Sequence, residues 1–185
     1  PASDYSWKSF LQTLDDFIAT EMEGKRCVLL GYSMGGRITL QYATQYSDRL
    51  AGLVLIGATP GISDEKERIN RAKQDFARAS SVLEQPLEKF LDVWFKQDLI
   101  QSQKHIPEPY KSRMRNTRKT NSRRALARAL ISLGSGSMSP VWDQLTNFHL
   151  PTLLVTGEKD PKFVGIAEKM MQSLPNARHV SIRDA

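Results

Sequence analysis

The sequence predicts an α/β fold, a mostly parallel sheet interrupted by an inserted block of helices. Three observations carry that expectation. Continuous apolar runs, Cys27-Val28-Leu29-Leu30, Leu53-Val54-Leu55-Ile56 and residues 150–156, alternate with helical periodicity, as in a parallel sheet covered on both faces. The first run passes through a glycine-rich turn, Gly31-Tyr32-Ser33-Met34-Gly35-Gly36, straight into a helical segment. Between residue 60 and about 148 no buried strand can be read, only helices. The expected division is therefore 1–59 for the first part of the core, 60–148 for a helical lid and 149–185 for the second part.

Each element has a local reason. Residues 6–22 place Trp7, Phe10, Leu11, Leu14, Phe17 and Ile18 at the spacing of one buried helix face, with Ser6 as N-cap and Gly24 as the stop. A strand at 26–30 precedes the turn, and an amphipathic helix at about 34–46 follows it. The next strand, 53–56, completes a right-handed crossover. Helical segments are expected near 64–80, 86–97, 108–119 and 122–134. Asp64 with Glu67 forms a capping box for the first, Pro86 opens the second, and Pro107 or Pro109 opens the third. Strand 150–156, helix 163–174 and strand 177–182 resume the alternation.

Composition narrows the function classes. The net charge of +6 is uneven: nine Lys or Arg residues against one acid, Glu108, lie between Lys104 and Arg128. That run has a single aromatic, Tyr110, ahead of its arginines and no nucleic-acid motif, so arginines turned toward a small anion are preferred over a nucleic-acid face. No apolar stretch is long enough to span a membrane. The single cysteine, Cys27, cannot form an internal disulfide and is expected to pack as a small apolar group, which fits a reducing, cytoplasmic compartment. There is no Cys/His cluster for zinc and no phosphate-binding loop of the G-x-x-x-x-G-K type.

The turn carries the chemistry. A G-x-S-x-G pattern between strand and helix is the setting of a nucleophile elbow, in which Ser33 stands on a strained turn and glycines at both flanks leave it room. Gly36 adds close helix–strand packing. The free N–H groups at the start of the helix point at whatever sits on the serine. The competing reading is a glycine-rich surface turn with an incidental serine. The second signal is Gly157-Glu158-Lys159-Asp160, directly after a strand and at the same sheet end as Ser33. In the α/β-hydrolase fold the triad runs Ser, then Asp or Glu, then His, so Asp160 is the expected orienting acid and Glu158 a solvated neighbour. For Asp160 alone, a turn aspartate capping the next helix is the alternative.

The base is not in evidence. His105 falls in the lid, His149 before a strand and His179 inside one, whereas the base belongs in the loop after the last strand. That loop would begin at Arg183-Asp184-Ala185, and the early strands of such a sheet are missing. The chain thus reads as the later strands of a longer protein, with the catalytic histidine just beyond Ala185.

Several segments together resemble one lineage within the α/β-hydrolases. They are Gly31-Tyr32-Ser33-Met34-Gly35-Gly36-Arg37, Gly57-Ala58-Thr59-Pro60-Gly61, Asp92-Val93-Trp94-Phe95, Gly134-Ser135-Gly136 and Gly157 to Phe163. The chain is similar in these to the 2-succinyl-6-hydroxy-2,4-cyclohexadiene-1-carboxylate synthases of menaquinone (vitamin K2) biosynthesis. The resemblance implies a lyase that eliminates pyruvate from a cyclohexene bearing several carboxylates, without cofactor. It implies Ser33 as the proton-abstracting base, activated by the histidine and Asp160, and the Met34 N–H as one donor to the enolate oxygen. It also implies Arg37, Arg71 and Arg118 as carboxylate-binding positions, because arginine binds carboxylates bidentately. Tyr32, Trp94 and Phe163 would line the pocket. Two rivals stand beside it. The elbow and Asp160 serve a serine hydrolase, acting on an ester or a C–C bond beside a ketone, equally well. A catalytically degenerate binding module would need no histidine.

Overall fold

The computed structural model describes residues 5–96 and 106–185 of the chain. Its first helix, α1 (Trp7–Met22), starts as expected: the Ser6 hydroxyl accepts the Ser9 N–H at 3.2 Å. The helix ends on Glu23, a non-glycine residue in the left-handed region (φ 48°), and Gly24 (φ 81°) then carries the chain away. The buried stripe is narrower than the periodicity suggests. Leu11, Asp15 and Ile18 are buried and Trp7 and Leu14 pack at the margin, but Phe10 and Phe17 are 37% and 60% exposed. Their positions flank the stripe rather than belong to it.

Four parallel strands follow in the order β1-β2-β3-β4: β1 (Cys27–Tyr32), β2 (Leu50–Ile56), β3 (Thr152–Gly157) and β4 (Ala177–Ile182). The register pairs Tyr32 with Ile56, Ile56 with Val155 and Gly157 with Ile182, so the residues after each strand gather along one carboxyl edge. β1 runs two residues further than the apolar run predicts, and β2 starts three residues earlier. β1 is one of the two outer strands, with β4 at the other edge. Cys27 is only half-buried, and Val28 and Leu30 are 60% and 59% exposed, so the run expected as a buried strand alternates instead.

The helix after β1, α2 (Met34–Gln45), corrects a second expectation. It is buried on every side from Gly36 to Ala43 rather than amphipathic. A helix covered all round must pair its polar groups. Gln41 Nε2 donates to the Ser139 carbonyl at 2.6 Å, and the Tyr42 hydroxyl donates to Asp15 Oδ1 at 2.8 Å, where Arg49 Nε also arrives at 3.3 Å. Burial, and then the hydrogen bond to Asp15, push the Tyr42 phenol well above its ordinary pKa. Leu40, Tyr42, Leu53, Leu55, Leu145 and Leu154 centre the core around this helix and the sheet.

The loop after β2 meets the chain returning toward β3. Val141 N–H donates to the Pro60 carbonyl at 2.8 Å, and Trp142 Nε1 donates to Gly61 O at 2.9 Å. Gly61 has φ 107°, and a Cβ there would stand 2.9 Å from Pro140 Cα. This closure explains the Gly57 to Gly61 segment as a structural stitch. The last helix, α7 (Pro161–Met171), connects β3 to β4; it starts and ends earlier than the expected 163–174.

Residues up to Arg68 and Met138–Ala185 form one compact unit, and Ile69–Ser137 a second. The expected insertion at 60–148 is wider than that second unit. Helix α3 (Glu65–Glu84) is capped by Asp64, whose Oδ1 accepts the Glu67 N–H at 2.7 Å. Helices α4 (Leu87–Trp94), α5 (Glu108–Lys119) and α6 (Arg123–Ser132) follow, and Pro86 and Pro107 stand at the N-caps of α4 and α5. The core of the second unit is Ala79, Val82, Phe90, Leu91 and Ala127. No described helix is long and apolar enough to cross a membrane.

Candidate active site

Ser33 leaves β1 and opens α2 with φ 51° and ψ −109°, a conformation that costs a non-glycine residue roughly 1–3 kcal/mol. Its backbone is over-determined. The Ser33 N–H still makes a strand bond to the Ile56 carbonyl (2.8 Å), while the Ser33 carbonyl already accepts the first helical bond, from Arg37 N–H at 3.1 Å. The side chain is exposed and does not cap its own helix. Met34 is the first helical residue, so its N–H has no intrahelical acceptor. The chain thus passes from strand to helix at a single strained, exposed serine.

The glycines divide differently from the motif. A Cβ on Gly31 would lie 2.4 Å from the Gly35 carbonyl carbon, and one on Gly36 2.4 Å from Ala58 Cβ, but one on Gly35 would meet open space. Room is therefore required on the strand side and at Gly36, not at Gly35. Arg37 is buried, 8% exposed, one turn into α2. Tyr32 is exposed, with its ring over Gly57.

Across β2, Asp160 lies at the same carboxyl edge. It is the N-cap of α7, and its Oδ1 accepts the Phe163 N–H at 3.1 Å, which is the capping role that the sequence leaves open for it. One carboxylate oxygen is thereby fixed. Phe163 is half-buried beside it, with Lys162 Nζ 6.0 Å from its ring centroid. The segment after β4 folds back onto this loop: Lys159 N–H donates to Ala185 O (2.7 Å), and the exposed Glu158 accepts the Asp184 N–H (3.1 Å). The described histidines lie elsewhere. His179 Nε2 meets Thr156 Oγ1 at 2.8 Å between β4 and β3, and His149 is exposed ahead of β3, at the opposite edge. His105 lies outside the described residues.

The structure thus brings Tyr32, Ser33, Met34, Arg37, Asp160 and Phe163 to one end of one sheet. Arg71, Trp94 and Arg118 belong to the second unit. There Trp94 is half-buried and stacks on Phe90 with centroids 5.8 Å apart. Arg118 lies over the Phe95 ring at 5.1 Å, and Arg71 Nε donates to Asp75 Oδ1 at 2.9 Å. Among the described residues no group of three or more His, Cys, Asp or Glu side chains could hold a metal ion.

The family model described as "Serine aminopeptidase, S33" matches residues 5–180, nearly the whole chain. The chain belongs to the α/β-hydrolase family. A solved structure of MenH from S. aureus superposes with a TM-score of 0.91 at 35% identity, covering 97% of this chain and 67% of that one. A Bacillus subtilis (strain 168) protein, provisionally named 2-succinyl-6-hydroxy-2,4-cyclohexadiene-1-carboxylate synthase, is 36% identical over 150 residues. That match covers 81% of this chain and 55% of the relative. The synthase of that name from Photorhabdus laumondii is 32% identical over 158 residues, 82% of this chain and 55% of its own length. The chain therefore spans little more than half the length of these two relatives.

Within this α/β hydrolase, one residue escapes motif reading. Asp75 is 2% exposed and takes both Arg71 Nε and Arg78 Nη1 on its Oδ1, at 2.9 and 3.1 Å. Its signal was available as an Arg-x-x-x-Asp-x-x-Arg spacing, which puts all three on one helix face. The Gly134-Ser135-Gly136 segment also has a local account. A Cβ on Gly134 would stand 2.5 Å from Asp75 Oδ2, and one on Gly136 2.3 Å from Ala72 N. Both glycines let that segment close onto α3.

Proposed function

We propose that the full-length protein is a carbon–oxygen lyase of menaquinone biosynthesis, acting in the cytoplasm. It eliminates pyruvate from 2-succinyl-5-enolpyruvyl-6-hydroxy-3-cyclohexene-1-carboxylate to give 2-succinyl-6-hydroxy-2,4-cyclohexadiene-1-carboxylate. The observation that carries this reading is Arg37, a buried cation one helical turn after a strained, exposed serine. A polycarboxylate substrate needs cations in its site, and arginine suits carboxylates because its fork binds them bidentately. Similarity to proteins named as this synthase, over four-fifths of the chain, supports it.

In the proposed reaction Ser33 Oγ takes the proton alpha to the succinyl carbonyl, and the electrons of that C–H bond move onto the carbonyl oxygen. The enolate faces the Met34 N–H at the positive end of α2. As the enolate collapses, the ring C–O bond breaks and the departing enolpyruvate takes up a proton to become pyruvate. Ser33 is basic enough only with a histidine partner, oriented in this reading by the second oxygen of Asp160. In this reading Arg37 binds a carboxylate, Tyr32 and Phe163 contact the substrate, and Arg71, Arg118 and Trp94 of the second unit are further substrate-binding positions.

The match to a serine aminopeptidase family model favours one second reading, hydrolysis through an acyl-enzyme on Ser33. Mass spectrometry separates the two. Under turnover the lyase leaves Ser33 unmodified, whereas trapping of an acyl adduct on Ser33 by the natural substrate would favour the hydrolase.

A further inference from the structure

Asp75 is unlike an ordinary ion-pair partner. Its side chain is 3% exposed, while those of Arg71 and Arg78 are 35% and 34% exposed. Both arginines converge on one oxygen, and the other, Oδ2, is buried without any hydrogen-bond partner. A half-satisfied buried carboxylate costs stability, and surface pairs of this spacing return little. The arrangement does have a geometric consequence. Arg71 is held by Nε, the side edge of its guanidinium, so its two terminal nitrogens remain as a fork at the open end. Three charged groups in a row, one negative and two positive, also leave a net single positive charge that one arriving carboxylate would neutralise.

We infer that Asp75 is a positioning residue: it holds Arg71 edge-on from within the second unit, so that the terminal fork of Arg71 is fixed for a carboxylate of the substrate. This rests on the lyase reading for the identity of that substrate. The carboxylate recognition itself follows from the anchored fork. An arginine without the anchor keeps its charge but loses its orientation, and a bidentate contact depends on orientation. Arg78 shares the anchor through Nη1 and keeps the trio cationic.

The test uses the full-length protein with two readouts. In steady-state pyruvate release, Asp75→Asn should raise KM about tenfold and leave kcat within about twofold, the pattern of lost uniform binding. Asp75→Asn added to Arg71→Ala should change nothing further, since the first acts through the second. Arg71→Lys, which leaves Asp75 and the fold in place, should match Arg71→Ala rather than wild type. The second readout is the Arg71 Nε–H resonance in 15N-labelled protein titrated with succinate. Wild type should show a slowly exchanging signal that moves with succinate, and Asp75→Asn should lose both properties. An unchanged KM and an unchanged Nε–H response in Asp75→Asn would overturn the inference, as would near-wild-type KM in Arg71→Lys. Wild-type protein that shows the succinate response but releases no pyruvate would overturn the lyase reading and leave the role of Asp75 standing. Neither signal in wild type would overturn both.

Discussion

A β-carbon added to Gly36 would lie 2.4 Å from Ala58 Cβ, so the first turn of α2 and the loop after β2 approach as closely as a glycine allows. Gly31 is tighter still, facing the backbone of Gly35 and Gly36, whereas Gly35 faces nothing within 4 Å. Its φ is not in the left-handed region either. Gly36→Ala should therefore cost roughly 1–3 kcal/mol and Gly31→Ala about 3 kcal/mol or more, through overpacking. Gly35→Ala, in a helix, should be neutral or stabilising by up to about 1 kcal/mol. Urea unfolding of the three full-length variants checks this order, which the bare G-x-S-x-G pattern would not give.

Arg37→Ala should reduce kcat/KM far more than Lys162→Ala. Arg37 is buried beside the elbow, while Lys162 is exposed on α7. Loss of a charge-assisted contact to a substrate carboxylate is worth on the order of 1.5–3 kcal/mol, or about 10- to 150-fold in kcat/KM. Equal and small effects in a pyruvate-release assay would contradict the assignment of Arg37.

Tyr42 makes the fold sensitive to alkali. Its phenol is held protonated by burial and by the bond to Asp15, so its pKa is raised in the folded state. The unfolded chain releases this proton near pH 10, so above about that pH the folded state binds more protons and stability falls as pH rises. Below that pH the contribution is fully present. Tyr42→Phe should start less stable, having lost the bond to Asp15, and show a shallower decline between about pH 9 and 11 in chemical denaturation. A parallel decline in both proteins would show that Tyr42 does not carry it.

Residues 1–185 taken alone should self-associate. β1 is an outer strand with Val28, Leu30 and Tyr32 all near 60% exposed, and nothing in Cys27-Val28-Leu29-Leu30 protects an edge, neither charge nor proline. Sedimentation velocity should show species larger than monomer, and a Leu30→Lys variant should shift them back. The same chain should also release pyruvate poorly, since neither His149 nor His179 stands by Ser33. A monodisperse, active 1–185 would mean that the base has been misassigned.

What the sequence discloses here follows the range of the interactions. The alternation of strands and helices, the Ser6 and Asp64 caps and helix α5 are legible because apolar runs and capping residues act within a few positions. The full burial of α2 was not, since its outer face is covered by Ser139 and its neighbours, about a hundred residues away. Phe10 and Phe17 fit the period of α1 yet lie outside its contact stripe, and periodicity cannot reveal its width. Asp160 was read as a triad acid from its position after a strand, while its capping bond to Phe163 depends on where α7 begins. Asp75 is not legible as special, because its two arginines look like ordinary surface charges until its 2% exposure is known.

The central claim is the elimination, and pyruvate is its direct signature. Full-length protein should be supplied with the enolpyruvyl-bearing cyclohexene substrate and coupled to lactate dehydrogenase, with a p-nitrophenyl ester assayed in parallel. The account predicts steady NADH consumption that requires Ser33 and Arg37, beside little ester turnover. Robust ester hydrolysis with no pyruvate released would contradict it.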